Sequence, residues 1–417
     1  MKKNFARIII VMLLVLSTML TTTSCFFFEF EGFVDDFFNE EDPFDRVYPD
    51  PVLPDQGNPD TGSDPTLPDE DVDYYPTEGN PEDATALNRT LLSTVIVASE
   101  FGEEYSIGAG VIYQLDKEKG DAYIITNFHV VYDATYGISK DILLYAYGME
   151  LSQYVIPATC LGGSISYDIA VLKVTDSEVI KNSHLTTVSL GDSDSIDVFD
   201  KIYTVGNPKA EGIAACQGII SVVSEYLELT GADNTTIELR VIRVDAAVNS
   251  GNSGGGLYDE NGKLIGIVCA KRIGSDVDNM GYAIPVNLAV NLAENIIANC
   301  DGISKTQVNR VLLGIEITAQ IMGIKIDPET GDIDRVSVVE VSNVFDYSPL
   351  LGQLEKGDQI ISLSINGEAI TPTQIYHITD YMFRARIGDT VTTTVLRGDE
   401  QIDFTITVTP DCITLVK

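Results

Sequence analysis

The chain has 417 residues, with 26 Lys and Arg against 63 Asp and Glu and a formal charge of −37. That length supports two or three domains with cores of their own. A polyanion of this strength is repelled by nucleic acid and by anionic lipid, so a nucleic-acid partner is excluded.

Residues 1–25 read as a targeting segment. Lys2, Lys3 and Arg7 form a basic flank, and Ile8 to Leu20 is an apolar run too short to span a bilayer alone. Thr22-Thr-Ser-Cys25 then resembles a lipobox, with Cys25 as the residue lipidated after cleavage; the departure is Thr22, where bacterial lipoproteins usually carry Leu. The rival is a single uncleaved transmembrane segment from Ile8 through Phe28. Either way the positive flank stays in the cytoplasm, and the rest faces outward from a bacterial cell membrane. Phenylalanines interleaved with acids follow from Phe26 to Phe38, and contact with the membrane interface, a linker role and packing on a partner all stay open for them.

The whole of 26–86 reads as an acidic, Pro-rich, disordered linker, with too little apolar surface to offset the entropy of ordering. Its flexible part, 39–86, has a root-mean-square span of ~35–40 Å. The acidic run Asp69-Glu-Asp-Val-Asp73 is a solvated face rather than a calcium site.

From Leu87 the pattern changes to short β-branched runs bounded by Gly, Asp or Lys. Ser93–Ser99, Gly108–Tyr113, Ala122–Thr126, Ile142–Ala146 and Ile169–Val174 form one set that suits a six-stranded barrel. Lys201–Gly206, Gly218–Val223, Thr236–Arg240, Lys263–Cys269 and Met280–Ile284 form a second. A helix is predicted over Val286 to Asn299 from Leu288, Leu292 and Ile296 at helical spacing.

Three stretches within these sets carry chemistry. Gly251-Asn-Ser-Gly-Gly255 surrounds Ser253 with glycines that let the backbone turn sharply and bring the N–H groups of Gly251 and Ser253 to one point. Ile124 to Val131 puts His129 at the end of an apolar β run, and Ser166 to Val174 puts Asp168 at the head of another. A serine nucleophile needs a base to take its proton, and that base needs a buried carboxylate to orient it. Asp133 is a rival carboxylate, but it sits in a turn-like Tyr-Asp-Ala and reads as exposed, whereas a sheet can cover Asp168. Apart from Cys25, five cysteines remain without metal spacing, and Cys269, in an apolar strand, reads as buried and inert. No metal or organic cofactor is expected.

Thr126–Val131, Asp168–Lys173 and Gly251–Gly255 resemble the "T-N-x-H-V-V", "D-[IL]-A-V-L-K" and "G-N-S-G-G" patterns of the HtrA/DegP family of trypsin-like serine proteases, in the same chain order. The resemblance runs from about Leu87 to the C-terminus. It implies a mainly β fold: a two-barrel, chymotrypsin-like protease domain over 87–302, followed by an α+β PDZ domain over 308–412. It also implies a catalytic triad of His129, Asp168 and Ser253, with Gly251 and Ser253 as the oxyanion hole. Ala247, six residues before the nucleophile, would form the base of the P1 pocket, and without a charge it favours a small aliphatic P1 side chain.

Leu312-Leu-Gly-Ile315 resembles the carboxylate-binding loop of a bacterial PDZ domain. Leu312, Leu313, Gly314, Ile315 and Ile317 would then hold a peptide C-terminus against a helix within Thr373 to Ala385. Asp327 to Asp332 reads as a hairpin turn. Unfolded or misfolded protein substrates and a homotrimer are further implications of the family. Two rivals stand beside the protein-degrading reading: a regulated signalling protease that clips one membrane partner, and an inactive PDZ scaffold or chaperone.

Overall fold

The structure, a computed structural model, describes residues 79–149, 154–271, 280–300, 304–326, 328, 329, 331 and 333–417. Cys25, the Phe-rich stretch and the linker up to residue 78 lie outside the described residues.

A short helix, α1 (Ala86–Leu92), capped by the Thr85 hydroxyl, leads into the first strand, and another, α2 (Glu178–Asn182), capped by the Ser177 hydroxyl, lies between the two strand sets. β1 (Thr94–Phe101), β2 (Glu104–Asp116), β3 (Asp121–Thr126), β4 (Ile142–Ala146), β5 (Ile156–Ser164) and β6 (Ile169–Val174) close into a barrel in the order β1-β2-β3-β6-β5-β4. Pairing of β1 with β4 shuts it, from Val95 opposite Ala146 to Ser99 opposite Ile142. Closure removes free edges, and the inward side chains of Val95, Val97, Ile112, Ile124, Leu144 and Leu172 fill the interior.

The second sheet is built from β7 (Ser189–Leu190), β8 (Lys201–Gly206), β9 (Ala214–Thr230), β10 (Thr236–Val244), β11 (Gly256–Asp259), β12 (Lys263–Lys271) and β13 (Gly281–Pro285). Its order is β11-β8-β9-β10-β13-β12-β7, and an added β11–β12 pairing closes the first six strands, with β7 outside the closure. Ile202, Ile220, Ile242, Leu257 and Val268 are packed inside it. The two barrels meet beside the glycine-rich loop, where the Ala109 N–H of β2 donates to the Ser253 carbonyl at 2.8 Å.

Pro285 starts the helix α3 (Val286–Asn299), whose Leu288, Leu292 and Ile296 are buried at the predicted period. The PDZ unit follows. β14 (Val308–Val311) pairs with β21 (Ile413–Val416), which carries this unit past residue 412. The main sheet runs β15 (Ile315–Ile326), β16 (Ile333–Val344), β17 (Gln359–Ile365), β19 (Thr390–Arg397), β20 (Glu400–Thr407), with β18 (Glu368–Ile370) beside β17. Ile326 faces Ile333 across the hairpin whose turn was read at Asp327 to Asp332. The helix α4 (Ile375–Tyr381) falls within the predicted stretch.

Helix α3 ties the units together. Asn295 is fully buried, and its amide donates to the Asn309 and Phe383 carbonyls, both at 2.8 Å, while accepting from the Asn309 N–H at 3.1 Å. Arg240 of β10 and Asp380 of α4 form a buried ion pair, and the Arg240 guanidinium lies 4.1 Å over the Tyr376 ring.

Candidate active site

His129 does not end a strand. β3 stops at Thr126, and Phe128–Val131 coil into a single helical turn. The eight apolar-rich residues from Ile124 read as one β run, but Phe128 and Val131 are fully buried by the turn, and His129 is left half-buried, with 32 % of its side chain exposed. Helical and strand burial of so short a segment cannot be told apart by pattern.

Asp168 precedes β6 with φ 49°, a left-handed conformation that is uncommon for a residue bearing a Cβ. In this conformation the carboxylate turns back on the histidine. Oδ2 lies 2.8 Å from His129 Nδ1, and Oδ1 accepts the His129 backbone N–H at 3.0 Å. Burial opposes charging of the imidazole, but the charge and hydrogen bond of Asp168 outweigh it and hold the His129 pKa above its ordinary value. Asp133 plays no part in this. Its Oδ1 accepts the N–H groups of Thr135 and Tyr136 at 2.7 and 3.0 Å, which fixes its own turn.

Ser253 lies between two tight turns. Gly251 (φ +91°) and Gly254 (φ +87°) each leave no room for a side chain: a Cβ would come within 2.0 Å of the Asn207 carbonyl at the first and of the Ala109 carbonyl at the second. Along the loop, the N–H groups of Asn252, Gly254 and Gly255 donate to Asn249, Val268 and Asn252 carbonyls. Those of Gly251 and Ser253 donate to no acceptor among the described residues. Two free N–H groups, one of them the serine's own, are what an oxyanion requires. The Ser253 hydroxyl itself points to the Cys269 carbonyl at 3.4 Å, and no hydrogen bond joins it to His129 among the described residues. Hydrogen bonds of this kind are often loose before substrate binds.

Ala247 is exposed between the buried Ala246 and Val248. Cys269 is buried beneath the serine, and burial pushes its thiol far up; burial likewise pushes Cys160 up to about 12. All five described cysteines are free.

The loop before β15 differs from the expected arrangement in two ways. The Leu312 N–H is already donated to the Cys412 carbonyl at 2.8 Å, and the Leu313 side chain is packed in the PDZ core rather than facing a groove. Pairing of β14 with β21 draws Leu312 in, a contact that no local pattern announces. The N–H groups of Leu313 and Gly314 have no acceptor among the described residues. Gly314 takes φ +64° over Ser348, whose hydroxyl donates to the Leu313 carbonyl at 2.6 Å. Ile315 and Ile317 are half-buried on β15, an end strand of the sheet.

Residues 108–267 match the trypsin-like peptidase domain model, and 320–408 match the PDZ domain model. The serine protease Do-like HtrA of Bacillus subtilis is 31 % identical over 325 residues, covering 76 % of this chain and 66 % of that protein. The chain belongs to the HtrA family. The HtrB protein of Bacillus subtilis is 29 % identical, covering 72 % of this chain and 62 % of that protein. The chain thus spans just under two thirds of the length of these curated HtrA relatives. Among solved structures, the HtrA-type protease AlgW with a tripeptide is 26 % identical, with a TM-score of 0.49, covering 80 % of this chain and 96 % of that one.

Proposed function

We propose that this chain is a serine endopeptidase that cleaves peptide bonds through an acyl-enzyme. The observation that carries the reading is the His129–Asp168 pair together with the free N–H groups of Gly251 and Ser253. For attack, the Ser253 hydroxyl swings from the Cys269 carbonyl to His129 Nε2, gives up its proton and adds to the scissile carbonyl. His129 then passes the proton to the leaving amine, and Asp168 keeps the ring oriented and supports its charge. The N–H groups of Gly251 and Ser253 hold the oxyanion, at about 3–4 kcal/mol per donor. Water repeats the sequence to release the acyl group.

The substrates are unstructured or misfolded proteins, and the PDZ unit takes peptide C-termini. The peptidase is anchored outside a bacterial cell membrane by lipid on Cys25 or by a transmembrane segment, and it works as a homotrimer. Ala247 offers no charge to pair with a lysine or arginine at P1, so Val or Ala is preferred there.

The test is casein cleavage by the protein spanning residues 79–417, with every cut mapped. Activity lost in Ser253→Ala, with cuts after small aliphatic residues, is the expected result. Equal cleavage by Ser253→Ala would defeat the mechanism, and cuts mainly after Lys or Arg would defeat the assignment of the P1 pocket.

A further inference from the structure

Asn127 occupies the N-cap position of the helical turn that carries His129, yet its side chain caps nothing. It is wholly buried, at 0 % exposure. Its Nδ2 donates to the backbone carbonyl of Asp168 at 2.9 Å, while its Oδ1 has no partner among the described residues. The direction of the amide follows from chemistry: a carbonyl only accepts, so the NH2 group must face Asp168, and the reverse orientation would set two oxygens against each other. Serine or aspartate would start the helix as well. Neither the helix nor the core therefore accounts for a buried amide with half of its bonding unmet.

What Asn127 touches does account for it. β6 begins at Ile169, and its ladder with β3 runs from Ala122 opposite Val174 to Thr126 opposite Ala170. The Asp168 carbonyl lies just outside that ladder, on a residue held at φ 49°. The same residue must keep both carboxylate oxygens on His129, one at its backbone N–H and one at its ring. Aspartate tolerates the left-handed region better than most residues with a Cβ, but it is still the less favoured conformation and is kept where the surroundings hold it. Asn127 supplies a hold from one residue past the end of β3, on the same short segment as His129.

We infer that Asn127 is a positioning residue: it fixes the Asp168 backbone in the conformation that aims the carboxylate at His129. It touches neither substrate nor the reacting atoms, and the inference rests on the triad reading above. Without this bond, Asp168 relaxes toward ordinary backbone angles, and its carboxylate leaves the imidazole.

The test compares wild type with Asn127→Ala and Asn127→Thr. Threonine nearly matches asparagine in volume and is a preferred N-cap, but its hydroxyl is too short to reach the Asp168 carbonyl. Both variants are expected to lower kcat about tenfold to a hundredfold with KM within about twofold, the scale set by a misplacement of about 1 Å. Both should also move the His129 titration, followed by NMR among only three histidines, down toward its ordinary value. In wild type the Asn127 side-chain protons should exchange slowly with solvent, which is measurable even if neither variant folds.

Wild-type kcat and an unmoved His129 titration in a folded Asn127→Thr would overturn the inference. So would a lower kcat with no change in that titration, or Asn127 protons exchanging at the free rate. If wild type and Ser253→Ala alike cleave nothing, the peptidase reading fails, and the titration and exchange still decide the role of Asn127.

Discussion

At His129, two opposing effects meet. Burial disfavours the imidazolium, and Asp168 favours it by charge and hydrogen bond; the second wins, so the pKa lies above the ordinary value of 6.5. The base must be neutral to accept a proton, so kcat/KM should climb as pH rises through that value, with a midpoint above 6.5. The sign for stability is opposite: the contribution of His129 is fully present below the unfolded pKa and is lost as pH rises through the folded one. Asp168→Asn removes both charge and correct tautomer. It should cut kcat by about ten-thousandfold and shift the acid limb downward. Asp133→Asn should leave the pH–rate profile unchanged, because that carboxylate serves only the N–H groups of its own turn. The triad residues were legible because each sits in a short motif whose chemistry is local. The turn at Phe128–Val131 was not, since so short a segment, with three apolar residues around His129, looks alike in strand and helix. Asn127 was visible as part of the T-N-x-H pattern, but its role depends on the left-handed φ of a residue 41 positions later.

Among the elements, the strands were read best where apolar and β-branched residues run between clear breaks, as in Ile142–Ala146, Ile169–Val174 and Lys201–Gly206, whose bounds match the prediction. β5 escaped because Pro157, Gly162 and Gly163 break its pattern, and the ladder tolerates them opposite Leu143, Val171 and Ala170. β11 is four residues long and begins inside the glycine-rich run, where only the closure of the second barrel makes it a strand. Contacts between elements far apart in sequence were invisible, above all the Arg240–Asp380 pair, with side chains 4 % and 11 % exposed. Burial raises the Asp380 pKa, and Arg240 only partly offsets the shift. A carboxyl group with a raised folded pKa contributes stability that is full below its unfolded value and lost as pH rises through the folded one, so at neutral pH this pair serves placement more than stability. Asp380→Ala, which strands the Arg240 charge, should destabilise the protein by about 3–5 kcal/mol in chemical denaturation. Arg240→Met combined with Asp380→Leu should restore most of that loss. A double variant as unstable as the single would show that the pair itself supplies the stability.

Over residues 79–417 as a whole, the PDZ unit is built against the protease domain at several points. The Lys417 carbonyl accepts the Ser164 hydroxyl at 2.6 Å and the Ser166 N–H at 2.9 Å, and the Lys305 ammonium reaches the Cys160 carbonyl at 2.8 Å. Phe383 meets the Tyr167 ring edge-on at 5.1 Å, next to Asp168 in the chain. A fragment starting at Val308 would lose all of these, so ligand binding is best measured on residues 79–417. β15 has β16 on one side only, and strand addition on its open edge would set a ligand carboxylate near the free N–H groups of Leu313 and Gly314. The exposed Leu312 and half-buried Ile315 and Ile317 offer apolar surface to the last side chain. A peptide ending in Val or Leu with a free carboxylate should therefore bind in a calorimetric titration. Amidating its terminus removes the charge those two N–H groups would meet, and should weaken binding about tenfold or more, since a hydrogen bond to a charged group is worth ~1.5–3 kcal/mol. Equal affinity of the free and amidated peptides, or no heat from either, would take the PDZ edge out of substrate choice and leave that choice to the cleft around Ser253.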